Sequence, residues 1–361
     1  MTSSRIELCP QMLDYDRLGM RWYPGIMFFQ SSNYRSLAVN TDKLGFRISK
    51  DNTGYSSTEN YVGLGTKQKI SLIIGGSTAF GVGATKDEFS LASLLSLKNE
   101  SPYLNFGGRA FNSGQEFNLF KNFFSKLPPL KEVIILSGAN DIFLTSIKSQ
   151  SFMQPTFLEN KYCSAMESYS LSAKRKIIRA LMNSFVDSAI DWGITSPREI
   201  LTNATKTTLA KIQHHLFFKD RHQDKSLSHV SFNDAAKTLE TSLICWSSLS
   251  KHLDFTLTFA LQPMPSWSKK RLSKEETLIF NNLDINNVST YNTLKQMDHY
   301  EGYKMFSSKL QAICDTLSIN YIDTNQHLAK RNISSHWMFV DRVHLTDAGY
   351  KLLAETLHQS I

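Results

Sequence analysis

Two short apolar runs, each stopped by glycine, constrain this chain more than anything else in it. Residues 69–75 read KISLIIG, and residues 132–137 read EVIILS before Gly138. Unbroken apolarity over so few residues is the pattern of a strand covered on both faces. Helix-patterned segments follow each run, at about 89–98 and 115–126, with a short strand over 103–106 between them. The rhythm returns later in the chain. A helix is predicted at 232–252, a strand at 255–261, a helix near 300–316 and a strand at 319–322. A last helix at 346–358 has capping residues Thr346 and Asp347. Alternating strands and helices predict an α/β protein, a three-layer α/β/α sandwich around a parallel sheet. Sites in such sheets gather at the carboxyl ends of the strands.

The chain has 361 residues, long for one compact domain. Residues 1–65 lack a helical period and read as loops and short strands, with a turn over 39–47. Residues 146–231 are polar, helix-prone and poor in strands, which predicts a helical insertion or lid. The core is then 66–145 with 232–361. Hydrophobic residues make up 41% and charged residues 20%, an ordinary globular composition. Lys and Arg number 40 against 32 Asp and Glu, so the formal net charge is +8. The basic residues are scattered, and the short clusters at 174–176 and 269–271 read as solvated surface rather than a nucleic-acid footprint. Cys9, Cys163, Cys245 and Cys314 form no C-x-x-C pair and have no His at zinc-ligand spacing, so free buried thiols are expected, with no metal and no cofactor. The N-terminus has no apolar signal-like region, and no run approaches the ~20 apolar residues of a membrane span. A cytoplasmic protein is therefore expected.

Four motifs carry chemistry, and each falls at a strand end or in a loop. Gly75-Gly76-Ser77-Thr78-Ala79-Phe80-Gly81 follows the first buried run and can present Ser77 as a nucleophile or merely as a helix cap. A phosphate loop is excluded because Val82 stands where Lys is required, and a dinucleotide fingerprint because Lys86 stands where its third Gly belongs. The loop from Asn105 to Gln115 is rich in Gly and can offer backbone N–H groups to an oxyanion. Ser137-Gly138-Ala139-Asn140-Asp141 places a neutral amide donor at a strand end, or simply makes a turn. In Asp341-Arg342-Val343-His344 the spacing lets the carboxylate reach the imidazole Nδ1–H while Nε2 points away.

In order and rough spacing these four blocks resemble the SGNH (GDSL-like) hydrolase superfamily. Its blocks are a G-D-S-like motif, a Gly loop, a G-x-N-D motif and a D-x-x-H motif. The resemblance covers about 66–145 and 232–361. The stretch from Asn40 to Arg47, N-x-D-x-x-G-x-R, is similar to the preamble of a bacterial branch whose first block is G-G-S-T. The likeness implies a flavodoxin-like SGNH fold and a catalytic triad of Ser77, Asp341 and His344. It also implies an oxyanion hole from the N–H groups of Ser77 and Ala110 and the Asn140 amide. Two departures stand out: Gly76 replaces the Asp of G-D-S, and Ala110 aligns with the oxyanion glycine, with Gly107 the alternative donor if the alignment slips by three. An α/β-hydrolase elbow, G-x-S-x-G, fits less well, since Ala79 occupies its last Gly.

The resemblance implies a serine esterase that removes a small acyl group, with a sugar O-acetyl ester as the expected substrate. An O-acyltransferase using the same triad on a glycan acceptor, and a non-catalytic binding module on the same fold, remain alternatives. Arg109, beside the Gly loop, can pair with a substrate carboxylate. Gln262, at the end of the 255–261 strand, is expected to face the site.

Overall fold

The computed structural model describes residues 4–147, 156, 157, 159, 163, 230–269, 271–286, 288–331 and 333–361. The chain divides into two compact units, Met1–Phe157 with Leu227–Ile361, and Leu158–Ser226. The second unit, and with it nearly all of the helical insertion expected over 146–231, lies outside the described residues, as does the basic cluster at 174–176.

The first unit opens with two short helices, α1 (Ser4–Leu8) and α2 (Met12–Arg17), and two hairpins. The hairpins pair β1 (Met20–Tyr23) with β2 (Met27–Gln30) and β3 (Ser49–Asp51) with β4 (Gly54–Ser56). The α/β rhythm then begins. β5 (Ile70–Gly75), α3 (Ser77–Phe80), α4 (Leu91–Asn99), β6 (Tyr103–Gly107), α5 (Ser113–Phe123), β7 (Leu130–Ser137) and α6 (Ala139–Leu144) complete its first half. The second half runs α7 (Phe232–Leu253), β8 (Thr256–Leu261), α8 (Pro265–Ser268), α9 (Lys274–Asn286), α10 (Val288–Met297), α11 (Tyr300–Leu317), β9 (Asn320–Asp323), α12 (Thr324–Ala329) and α13 (Asp347–His358).

Strands β5 to β9 form one parallel sheet in the spatial order β6-β5-β7-β8-β9. Every residue of β5 and β6 is buried, as is all of β7 except Lys131, so both faces of the sheet are covered. Covered faces explain why the strands read as unbroken apolar runs. In chain order the strands run second-first-third-fourth-fifth, which reverses direction between β5 and β7. A crevice opens where neighbouring connections leave to opposite sides of a sheet, at the carboxyl ends of the two strands. The fold thus puts the ends of β5 and β7, Gly75 and Ser137, on either side of one cleft.

Helix α7 shows how a covering helix is written. Its buried residues include Phe232, Ala235, Leu239, Leu243 and Trp246, at helical spacing, and the Ser231 side chain accepts the Asp234 N–H at its start. Helix α13 begins as expected, with the Thr346 hydroxyl accepting the Gly349 N–H.

Three expectations need correction. Residues 1–65 contain helices α1 and α2, of five and six residues, too short to be stable by propensity. They form because Cys9, Met12 and Tyr15 pack into the core, a tertiary cause with no local period to reveal it. The 269–271 cluster is not all solvated surface. Lys269 is buried and its Nζ lies 2.6 Å from Glu276 Oε2, with both side chains fully inaccessible. Cysteines are free as expected, but Cys245 is exposed.

Candidate active site

The first block places Ser77 at the start of α3, directly after β5. Gly75 precedes it with φ +154°, and a Cβ there would lie 2.1 Å from the Leu136 carbonyl oxygen of β7. Only a glycine permits that approach. Gly76 is hemmed in differently, since a Cβ there would lie 2.7 Å from Asn140 Nδ2. The Asn140 amide thus occupies the space that a side chain at Gly76 would need.

The fourth block folds into a small loop closed by the Phe339–Leu345 bridge and the Val340 N–H donating to the His344 carbonyl, 2.9 Å. Inside it, Asp341 Oδ1 accepts the backbone N–H groups of Val343, 2.9 Å, and His344, 2.8 Å. The same carboxylate meets the imidazole, with Nδ1 2.8 Å from Oδ2 and 3.0 Å from Oδ1. The three-residue spacing works because one carboxylate fixes both the backbone and the ring of His344. With Nδ1–H directed at the acid, Nε2 is left as an acceptor, and it lies 2.7 Å from Ser77 Oγ. Ser77, His344 and Asp341 form one hydrogen-bonded line. This is the geometry of a Ser–His–Asp triad.

Burial raises the Asp341 carboxyl, but the His344 imidazole and its hydrogen bonds outweigh that and hold it well below the usual carboxylate range. The acid therefore stays ionised beside the imidazole. Anchors from elsewhere hold the loop. Arg342 pairs with Asp284, 2.8 Å, and Asp298, 3.1 Å. Glu276 Oε1 accepts the N–H groups of Met338 and Phe339, while Lys269 Nζ donates to the His336 carbonyl.

Ser77, Ala110, Asn140, Asp341 and His344 all line one cavity of about 350 Å³. Ala110 has φ +61°, the left-handed region. A glycine is at ease there and an alanine is strained by about 1–2 kcal/mol. Asn140 Nδ2 donates to the Phe111 carbonyl, 2.7 Å, which orients the amide and leaves it a second hydrogen. The alternative donor, Gly107, is corrected: its N–H donates to Asn105 Oδ1, 3.0 Å, inside the core.

One further expectation changes and another gains detail. The Arg109 guanidinium donates to the carbonyls of Tyr15, 2.7 Å, Leu18 and Gly19, 3.3 Å, at the end of α2. It ties the N-terminal segment to the Gly loop, and Arg109 lines the cavity that holds Ser77. Burial lowers it to about 10. Gln262 is 3% exposed and its N–H donates to the Ser137 carbonyl; it packs beneath the sheet end and is not part of the cavity wall. The sequence reading missed Met12, Tyr15 and Met20 from the N-terminal segment and Leu294 and Met297 from α10, all of which line the cavity. Their signal was weak, because α10 was not recognised and α2 has too few turns to show a period.

The Asp of the third block has a structural task. Asp141 is buried, accepts the Ser113 hydroxyl at 2.7 Å, and sits close enough to buried Glu116 to raise it electrostatically. Burial raises the Glu116 carboxyl well above its ordinary range, and raises Asp141 from 3.8 to about 6. A buried acid of raised pKa holds its proton better folded than unfolded, so the stability that Asp141 contributes declines as pH rises from about 4 to about 6 and is level above, with Glu116 adding a decline of its own. Asp141→Asn removes the Asp141 share. The variant should gain on the order of 3 kcal/mol relative to wild type across that window, read from urea unfolding at pH 4 to 7. Parallel curves for the two chains would contradict it.

No protein-family profile and no curated protein matches the sequence. Solved structures similar to the chain include the acetyl xylan esterase AlAXEase, at 10% identity and TM-score 0.40, over 81% of this chain and 98% of that one. A member of the lipolytic protein G-D-S-L family from Veillonella parvula aligns at 12% identity and TM-score 0.38, over 81% and 97%. The lipase/acylhydrolase from Enterococcus faecalis aligns at 10% identity and TM-score 0.40, over 81% and 94%.

Proposed function

We propose that this chain is a serine ester hydrolase of the SGNH type. The observation that carries the reading is the line Ser77–His344–Asp341, with Nε2–Oγ of 2.7 Å and Nδ1–Oδ2 of 2.8 Å, opening on a cavity that Asn140 and Ala110 also line.

Ser77 Oγ attacks the ester carbonyl carbon as its proton passes to His344 Nε2. Asp341 stabilises the imidazolium that forms and keeps the ring in register. The carbonyl oxygen becomes an oxyanion held by the N–H groups of Ser77 and Ala110 and the Asn140 amide. All three residues line the cavity, and donors fixed before the reaction would need little reorganisation as the charge forms. His344 returns the proton to the departing alkoxide, the alcohol leaves, and the acyl group stays on Ser77. A water then gives its proton to His344 and attacks the acyl carbon. Collapse releases the carboxylic acid and restores Ser77. If an acceptor hydroxyl replaces that water, the same residues perform acyl transfer. A sugar O-acetyl ester is the substrate that the resemblance of the Asn40-to-Arg47 preamble to the G-G-S-T branch suggests.

A fluorophosphonate probe tests the reading directly. Stoichiometric labelling of the wild-type chain, mapped to Ser77 by peptide mass and absent from His344→Ala, is the expected result. A folded wild-type chain that resists labelling would leave a binding module on this fold.

A further inference from the structure

Resting on the ester-hydrolase reading, we propose that the acyl group is an apolar chain of about four to eight carbons rather than acetyl. The argument starts from the charges at the wall. Arg109 is occupied by three carbonyls, Arg342 pairs with Asp284 and Asp298, Arg5 pairs with Asp16 at 3.5 Å, and Asp341 is held by His344. Each ionic group beside the cavity thus has hydrogen-bond or ion-pair partners within the protein. Beside them the described lining residues include six large apolar side chains: Met12, Met20, Phe143, Phe157, Leu294 and Met297. Phe143 and Phe157 stack with centroids 5.1 Å apart, forming one flat apolar side. Three of the six are methionines, whose flexible thioethers fit chains of varied shape.

Size points the same way. At roughly 30 Å³ for each group of water size, a cavity of about 350 Å³ takes on the order of ten non-hydrogen atoms. An acetyl group has three, so a longer acyl chain has room there beside part of the alcohol. A sugar ring would bring a hydroxyl on most carbons, each needing a partner once out of water. Those six side chains provide methyl, thioether and phenyl surface instead.

The test is kcat/KM of the full chain on p-nitrophenyl acetate, butanoate, hexanoate, octanoate and dodecanoate. Each buried methylene should raise it about fourfold, so hexanoate should exceed acetate on the order of 100-fold, and dodecanoate should fall back. Leu294→Trp, which fills the cavity, should move the optimum to shorter chains. Met20→Trp, at a position 39% exposed, gives the same readout should Leu294→Trp fail to fold. A flat series, or an acetate optimum, in a chain whose turnover still depends on Ser77 overturns the apolar-acyl inference and leaves the hydrolase reading intact. No turnover of any ester together with no fluorophosphonate labelling overturns both.

Discussion

Replacing Ser77 by alanine is expected to lower kcat for an activated ester by about 10⁴- to 10⁶-fold, with KM nearly unchanged. The reason lies in how the three residues are coupled. His344 Nε2 is 2.7 Å from Ser77 Oγ and its other nitrogen is held by Asp341, so the ring's first task is to take the serine's proton. Without the hydroxyl it has nothing to activate. His344→Ala should therefore cost about as much as Ser77→Ala, and the double variant little more than either alone. Asp341→Asn should cost about 10⁴-fold, since an amide cannot hold the Nδ1–H tautomer. Residual turnover in all of them would come from the oxyanion donors. Steady-state kinetics on variants of matched circular dichroism checks this. A Ser77→Ala chain as active as wild type, or losses that multiply in the double variant, would remove Ser77 and His344 from a common mechanism.

The second large effect concerns stability. Arg47→Met should lower the free energy of unfolding by about 3–5 kcal/mol, although it keeps most of the side chain's apolar length. The Arg47 side chain is wholly inaccessible. Its Nε donates to Asp87 Oδ1 at 2.9 Å, Nη1 to the Gly81 carbonyl at 2.7 Å and the Tyr15 hydroxyl at 3.0 Å, and Nη2 to the Ala38 carbonyl at 2.8 Å. Methionine strands a buried carboxylate and several carbonyls at once. Asp87→Asn in the same chain should recover part of the loss by removing the uncompensated charge. Urea unfolding of the two single variants and the double variant gives the coupling. A loss below about 1 kcal/mol for Arg47→Met would mean that the pair contributes nothing net. Since the Gly81 N–H closes the turn begun at the Ser77 carbonyl while the Gly81 carbonyl accepts from Arg47, this cation also ties the N-terminal preamble to the segment that carries Ser77.

That preamble shows how far the residues alone were readable. The Asn40-to-Arg47 stretch was recognisable as a pattern, yet its purpose was not. Asn40 Nδ2 donates to Asp87, Asp42 accepts the N–H groups of Leu44 and Phe46, and Arg47 reaches the carboxyl end of α3. The partners Asp87 and Gly81 lie about 40 residues on, in a segment with no feature linking them to it. The 269–271 cluster was misread for the same reason. A buried Lys and a solvated Lys look alike until the partner, here Glu276, is in place.

Sequence by itself determined the buried strands, the parallel α/β alternation and the Asp341–His344 spacing, because each depends on neighbours close in the chain. Strand apolarity follows from two covered faces, and the Asp341–His344 contact closes within three residues. Tertiary structure alone decided the rest. The strand order, with its crevice between β5 and β7, brings Ser77 to His344 across 267 residues of chain. The same packing tied Arg109 to the N-terminal segment and built the cavity wall from α2, α6 and α10. Those contacts depend on which surfaces meet, and surface pairing over long separations leaves no periodic mark in the residues that make it.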